Sequence, residues 1–143
     1  MNKIRFRVIG LILRDKRKNE KISKKLNLKI TKYLSAGGTE YFLQWINKDN
    51  VLFGLLRLRI NKNRTAFIRE VHVYGKTLAI GEKPVSSDTQ HRGLGKQLMS
   101  EAEKICKNQK ISKLSVISGV GVREYYKKLG YNLEGEYMVK KLK

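Results

Sequence analysis

The segment Gln90-His91-Arg92-Gly93-Leu94-Gly95-Lys96 puts two glycines one residue apart just before a run of helical periodicity. Glycines at that spacing let the backbone turn tightly and approach a ligand closely. The first N–H groups of a helix have no intrahelical partner, and the helix dipole adds partial positive charge there, so phosphate is the favoured guest. Arg92 and Lys96 bring further positive charge. The segment is no Walker loop, because GxxxxGK[ST] is absent, and it lacks the third glycine of the dinucleotide fingerprint. A loop needing only backbone freedom would also accept two glycines. Gln90 either orients such a loop or lies on the surface, and His91 suits a surface position.

Two further groups could move protons. Glu70, His72 and Tyr74 alternate along a strand-like stretch and so share a face. A carboxylate or imidazole there can deprotonate an attacking amine, which near pKa 10.4 needs such help at neutral pH. Glu70 can equally form a salt bridge with Arg57, Arg59 or Arg69. Tyr125 and Tyr126 are adjacent, so on a helix they point about 100° apart, one able to pack inward while the other faces a cleft. Cys106 falls on the apolar face of its helix, which reads as packing rather than redox chemistry.

The elements that must hold these residues follow from pattern. Residues 11–32 are charged with scattered Leu and Ile and read as one or two marginal helices. After the turn signal Ser35-Ala36-Gly37-Gly38, strands are expected over Thr39–Ile46, Val51–Ile60 and Arg64–Tyr74. Residues 76–89 read as a loop. Leu94, Leu98, Met99, Ala102, Ile105 and Cys106 recur at helical spacing from Gly93 to about Asn108. A strand over Lys113–Ser118 follows. Val122, Tyr125, Tyr126 and Leu129 then mark a short helix stopped by Gly130, and strands over Tyr131–Leu133 and Tyr137–Leu142 close the chain. The class is α+β, with a basic segment at 1–34 leading into a core at 35–143.

The chain has 143 residues, enough for one core, and carries a formal charge of +20, from 32 Lys and Arg against 12 acidic residues. A field of that sign attracts polyanions by steering and counterion release. The charge concentrates in Arg14, Lys16, Arg17, Lys18, Lys21, Lys24 and Lys25, the expected nucleic-acid contacts. No apolar run approaches the roughly 20 residues that span a bilayer, so a membrane is not an expected partner. A single cysteine excludes an internal disulfide and a cysteine-ligated cluster within these residues. No metal-ligand cluster is visible, and the expected compartment is the cytoplasm.

Gln-x-x-Gly-x-Gly after a meander of strands and before helix–strand–helix resembles the pyrophosphate loop of the GNAT acetyltransferases. The resemblance implies a twisted mixed sheet of six or seven strands flanked by helices, splayed at its centre, with acetyl-CoA as co-substrate. It also implies that Gln90–Lys96 hold the coenzyme pyrophosphate and that Val71, His72, Val73 and Tyr74 run beside the pantetheine arm. Tyr126 would face the sulfur and protonate the leaving thiolate.

Further segments narrow the likeness. They are Ala36–Glu40, Gly54–Arg59, Arg69–Gly75, Gln90–Gly95, Val116–Gly121, Tyr125–Tyr131 and Tyr137–Lys140. Together they resemble the acetyltransferase domain of the catalytic subunit of Elongator over residues 35–142. That family couples the domain to a radical S-adenosylmethionine domain and modifies the wobble uridine of tRNA. The cysteine trio of the radical domain is missing, so the radical half is expected to be either absent or supplied by a separate radical subunit, with tRNA as the other partner. Three readings stand together: acetyl-CoA opening for tRNA modification, an independent lysine or small-amine N-acetyltransferase, and a basic RNA-binding module with a vestigial coenzyme pocket.

Overall fold

The structure, a computed structural model, describes residues 25–74 and 93–143. In chain order these form strands β1 (Asn27–Ser35), β2 (Gly38–Ile46), β3 (Leu52–Asn61) and β4 (Ala66–Val73). Helix α1 (Leu94–Asn108), β5 (Lys113–Ile117), a 3-10 turn (Val120–Val122), α2 (Arg123–Lys128), β6 (Asn132–Glu134) and β7 (Tyr137–Lys141) follow. The seven strands make one sheet in the order β1-β2-β3-β4-β5-β7-β6. Only β4 and β5 pair in parallel; every other neighbouring pair is antiparallel. The expected α+β class and mixed sheet are what the chain forms.

One expectation needs correcting. The stretch read as marginal helix is, over residues 27–32, part of β1, which pairs with β2 along its whole length from Asn27↔Ile46 to Ser35↔Gly38. This edge strand is exposed on both faces, so it carries neither the alternation nor the apolar run that marks a strand. Its hydrogen-bonded partner, not burial, makes it a strand. The turn before β2 needs Gly37 at φ +83°, a conformation that side chains rarely adopt. Residues 11–24 of the same expectation, and the loop expected over 76–89, lie outside the described residues.

One sheet face carries the main core. Leu43, Leu56, Leu58 and Ile68 pack there against Leu98, Met99, Ala102 and Cys106 of α1. Those helix residues fall at i, i+1, i+4 and i+8, so a single stripe is buried and Lys96, Gln97 and Lys104 stay outside. Each buried Leu or Met contributes about 1.5–3 kcal/mol, enough together to fix where the helix begins. Tyr126 and Tyr131 join this cluster from the α2 side.

The opposite face carries charge. Register sets Glu40 beside Arg59 and Phe42 beside Arg57, and Arg57 beside Glu70. A bulge on β4, opposite Arg57 and Leu58 of β3, leaves Arg69 as the extra residue. Glu40 faces Arg57 at 3.4 Å, Arg59 at 3.3 Å and Arg69 at 3.8 Å, while Arg57 also meets Glu70 at 3.2 Å. Three guanidiniums around two carboxylates leave this cluster with a formal excess of one positive charge.

Candidate active site

β4 and β5 separate. They pair only at Ala66↔Leu114, Phe67↔Ser115 and Ile68↔Val116, although β4 runs on to Val73. Tyr74 donates its N–H to the Phe53 carbonyl at 2.8 Å. Antiparallel pairs alternate between bonded and unbonded residues, so His72 and Glu70 also turn their main-chain groups toward β3. Val71 and Val73 turn theirs the other way, to the edge that β5 has left. Among the described residues no strand covers that edge, and an extended amide-bearing chain is the natural complement to such a ladder.

The first turn of α1 stands beside this edge. Gly93 precedes it, no side chain caps it and no acidic residue lies within it. The N–H groups of Leu94, Gly95 and Lys96 therefore have no intrahelical acceptor. An anion at such a terminus gains typically about 0.3–1 kcal/mol from the dipole when exposed. Leu94 is buried against Phe53, Val51 and Val73, so its side chain anchors the turn and only its amide is on offer. Lys96 is exposed and Gly95 buried. A β-carbon built on Gly95 would lie 2.9 Å from the Tyr125 hydroxyl and 3.6 Å from Val73 Cγ2. The helix start, the β4 edge and α2 thus converge on Gly95.

The two tyrosines divide as helical geometry requires. Tyr125 is exposed, and its hydroxyl reaches the first turn of α1. Tyr126 is buried, its ring edge-on to both Tyr125 and Tyr131. Burial pushes the Tyr125 hydroxyl above its ordinary pKa; burial, and then the neighbouring Tyr125, do the same to Tyr126. Both therefore hold their protons at neutral pH and stand as donors.

Glu70 and His72 share a face of β4, as alternation requires, and His72 stacks on Tyr74 with ring centroids 6.2 Å apart. Burial, then the Glu70 charge, raises the Tyr74 hydroxyl. Glu70 takes Arg57 as its ion-pair partner, one of the three arginines its sequence position allows. Sequence reasoning missed Glu40, because only the β2–β3 register reveals that it gathers Arg57, Arg59 and Arg69. Gln90, His91 and Arg92 lie outside the described residues, as do Arg14, Lys16, Arg17, Lys18, Lys21 and Lys24. Lys25 is exposed just before β1. Among the described residues no group of His, Cys, Asp and Glu could hold a metal, and no helix is long and apolar enough to cross a membrane.

A family profile described as "Acetyltransferase (GNAT) domain" matches residues 14–141. The chain is 43% identical over 122 residues to the tRNA uridine(34) acetyltransferase of Dehalococcoides mccartyi, covering 77% of this chain and 26% of that protein. It is 45% identical over 123 residues to Elongator complex protein 3 of Saccharomyces cerevisiae, covering 77% of this chain and 22% of the relative. Among solved structures, the archaeal Methanocaldococcus infernus Elp3 superimposes with a TM-score of 0.68 at 39% identity, over 82% of this chain and 30% of that one. The chain therefore spans about a quarter of the length of the relatives it matches.

Proposed function

The chain belongs to the GNAT acetyltransferase family, and we propose that it binds acetyl-CoA along the open edge of β4 and opens its thioester in the service of tRNA wobble-uridine modification. The observation that carries this reading is the convergence at Gly95 of three things. They are an uncapped helix start, a strand edge with outward amides at Val71 and Val73, and the hydroxyl of Tyr125. An acyl-CoA has a diphosphate for the first, an amide-bearing arm for the second and a reacting thioester for the tyrosine pair beyond. The tight fit at Gly95, where a β-carbon would collide, suits a cradle for a close-lying ligand.

The coenzyme supplies an acetyl group already activated as a thioester. The amides of Gly93, Leu94, Gly95 and Lys96 take the diphosphate, with Gln90, His91 and Arg92 proposed as further coenzyme contacts. Val71 and Val73 pair with the arm, and His72 and Tyr74 wall the same strand. Tyr126 gives its phenolic proton to the leaving thiolate, and Tyr125 holds the coenzyme against Gly95. Glu70, oriented by Arg57, accepts the proton of the attacking water or acceptor. With water as nucleophile the products are acetic acid and the free thiol: the proton Glu70 takes from water matches the one Tyr126 gives to sulfur, and the acid then releases its own proton to solvent as acetate.

The acceptor side of the reading rests on relatives named for tRNA uridine(34) and for Elongator. A radical S-adenosylmethionine centre would lie outside these 143 residues, since a cysteine trio is needed and Cys106 is the single cysteine. Arg14, Lys16, Arg17, Lys18, Lys21, Lys24 and Lys25 would contact tRNA phosphates, which need only charge and reach. A second reading, an ordinary amine N-acetyltransferase, is favoured by Glu70, a carboxylate on β4 beside the cleft. Thiol release from acetyl-CoA separates the two. Stimulation by tRNA supports the Elongator-type reading, stimulation by lysine or small amines alone supports the second, and no release with or without either contradicts both.

A further inference from the structure

Arg123 opens α2 and is half-buried, and its Nε is fully enclosed without any hydrogen-bond partner. Nor does its guanidinium form an ion pair among the described residues. Its neighbour Glu124 is taken by Lys127 at 3.1 Å, and Glu103 by Lys140 and the Tyr131 hydroxyl. A buried N–H donor with no acceptor is costly, and a fold that keeps one leaves it available to a ligand. A strained or unsatisfied group retained in this way is a mark of binding sites.

Its direction follows from the helix. Along α2 the less exposed positions are Arg123, Tyr126 and the following Leu129, while Glu124, Tyr125, Lys127 and Lys128 are exposed. Arg123 therefore lies on the inward stripe, one turn before Tyr126 and toward the end of β5, where the sheet has opened. Two residues further on, Tyr125 reaches Gly95 and so fixes this end of α2 against the first turn of α1. Arg123 thus belongs to the short helix whose contact with the first turn of α1 is made through Tyr125.

We propose that Arg123 is a coenzyme-binding residue whose guanidinium takes a phosphate of coenzyme A from the α2 side of the cleft. This inference rests on the acetyl-CoA reading above. A planar fork of N–H donors suits a phosphate, and an Arg–phosphate contact would give the stranded Nε or its terminal nitrogens an acceptor. The coenzyme offers two sources of that chemistry, the diphosphate and the 3′-phosphate. RNA phosphodiesters are the less favoured anion, because Arg123 faces inward beside Tyr126 rather than outward with Lys127 and Lys128.

The test is calorimetric titration of the full chain and its Arg123→Gln and Arg123→Lys variants with coenzyme A, 3′-dephospho-coenzyme A and pantetheine. Arg123→Gln is expected to weaken coenzyme A at least tenfold and to leave pantetheine unchanged, with Arg123→Lys between. A loss that persists with 3′-dephospho-coenzyme A assigns the diphosphate; a loss that vanishes assigns the 3′-phosphate. The ligand-free unfolding midpoint of Arg123→Gln should equal or exceed that of the wild type, because no native partner is lost. Wild-type affinity for coenzyme A in Arg123→Gln, an equal loss for pantetheine, a lowered ligand-free midpoint, or a defect confined to RNA binding would each overturn the assignment while leaving the acetyl-CoA reading intact. A wild type that binds no coenzyme A would overturn both.

Discussion

The hydroxyl of Tyr125 lies 2.9 Å from the point where a β-carbon on Gly95 would sit, so the residue that opens the first turn of α1 to a ligand is also the residue on which α2 rests. Gly95→Ala should push Tyr125 away and disturb the turn. We expect about a tenfold loss of coenzyme affinity, since sub-ångström misplacement at a binding turn is felt strongly. Tyr125→Phe in the same chain should relieve the clash, so that the double variant binds no worse than Tyr125→Phe alone. Without the hydroxyl oxygen the nearest remaining atom is Val73 Cγ2 at 3.6 Å, an ordinary contact. Binding of the two single variants and the double variant by calorimetry checks the coupling.

The adjacent tyrosines should fail differently. Tyr126→Phe removes the proton donor and is expected to lower kcat about 100-fold with little change in KM, a size typical of general acid catalysis. Tyr125→Phe should act mainly on KM. Because burial raises the Tyr126 hydroxyl above its ordinary value of 10, the donor stays protonated through neutral and mildly alkaline pH. The rate term that depends on it should fall only as pH rises above 10. Steady-state thiol release across pH tests both statements.

Glu40 should matter more for stability than any surface ion pair. It is buried under three guanidiniums, and removing one partner of a buried ionic group typically costs about 3–5 kcal/mol. Glu40→Gln is expected to lower the unfolding free energy by that order, with Arg59 losing its carboxylate while Arg57 keeps Glu70. Glu101→Gln, which breaks an exposed pair with Lys104, should cost at most about 0.5 kcal/mol. Urea unfolding of the two variants gives the comparison.

The sequence carried most of the sheet, including the strand at its β6 edge, and lost the β1 edge. β2, β3 and α1 were legible because apolar periodicity there matches the element's own period. β1 was not, because Lys29, Ile30, Thr31 and Lys32 are all exposed and only pairing with β2 defines it. At the site, the glycine pair, the alternating Glu70 and His72 and the 100° split of Tyr125 and Tyr126 could be read directly. Which tyrosine turns inward could not, since it depends on how α2 docks on β6 and β7. Glu40 and Arg123 stayed hidden for a related reason: an ion-pair hub, and an enclosed Nε with no acceptor among the described residues, exist only once register and packing are set.

Cys106 should be inert in the native protein. Its thiol is buried, and burial followed by the nearby Glu103 charge pushes it up to about 12. Since the folded value is raised, its contribution to stability is complete below the unfolded thiol's value and is lost as pH climbs through 9 toward 12. Tyr131, raised by burial and by Glu103, to which it donates a hydrogen bond at 2.9 Å, adds to the same alkaline loss. At pH 8 a thiol reagent should label unfolded but not native protein, and urea-unfolding stability should decline above pH 9. Labelling at a rate independent of denaturant would contradict the placement of Cys106 in the core.

The most direct test of the central claim is to follow backbone amide resonances of the full chain by nuclear magnetic resonance during titration with acetyl-CoA. Coenzyme lying along the β4 edge and capping α1 predicts saturable shifts at Val71, Val73, Leu94, Gly95 and Lys96, with β1, β2 and β6 unmoved. Saturable binding that leaves Val71, Val73 and the first turn of α1 unshifted, or no binding at all, would contradict it.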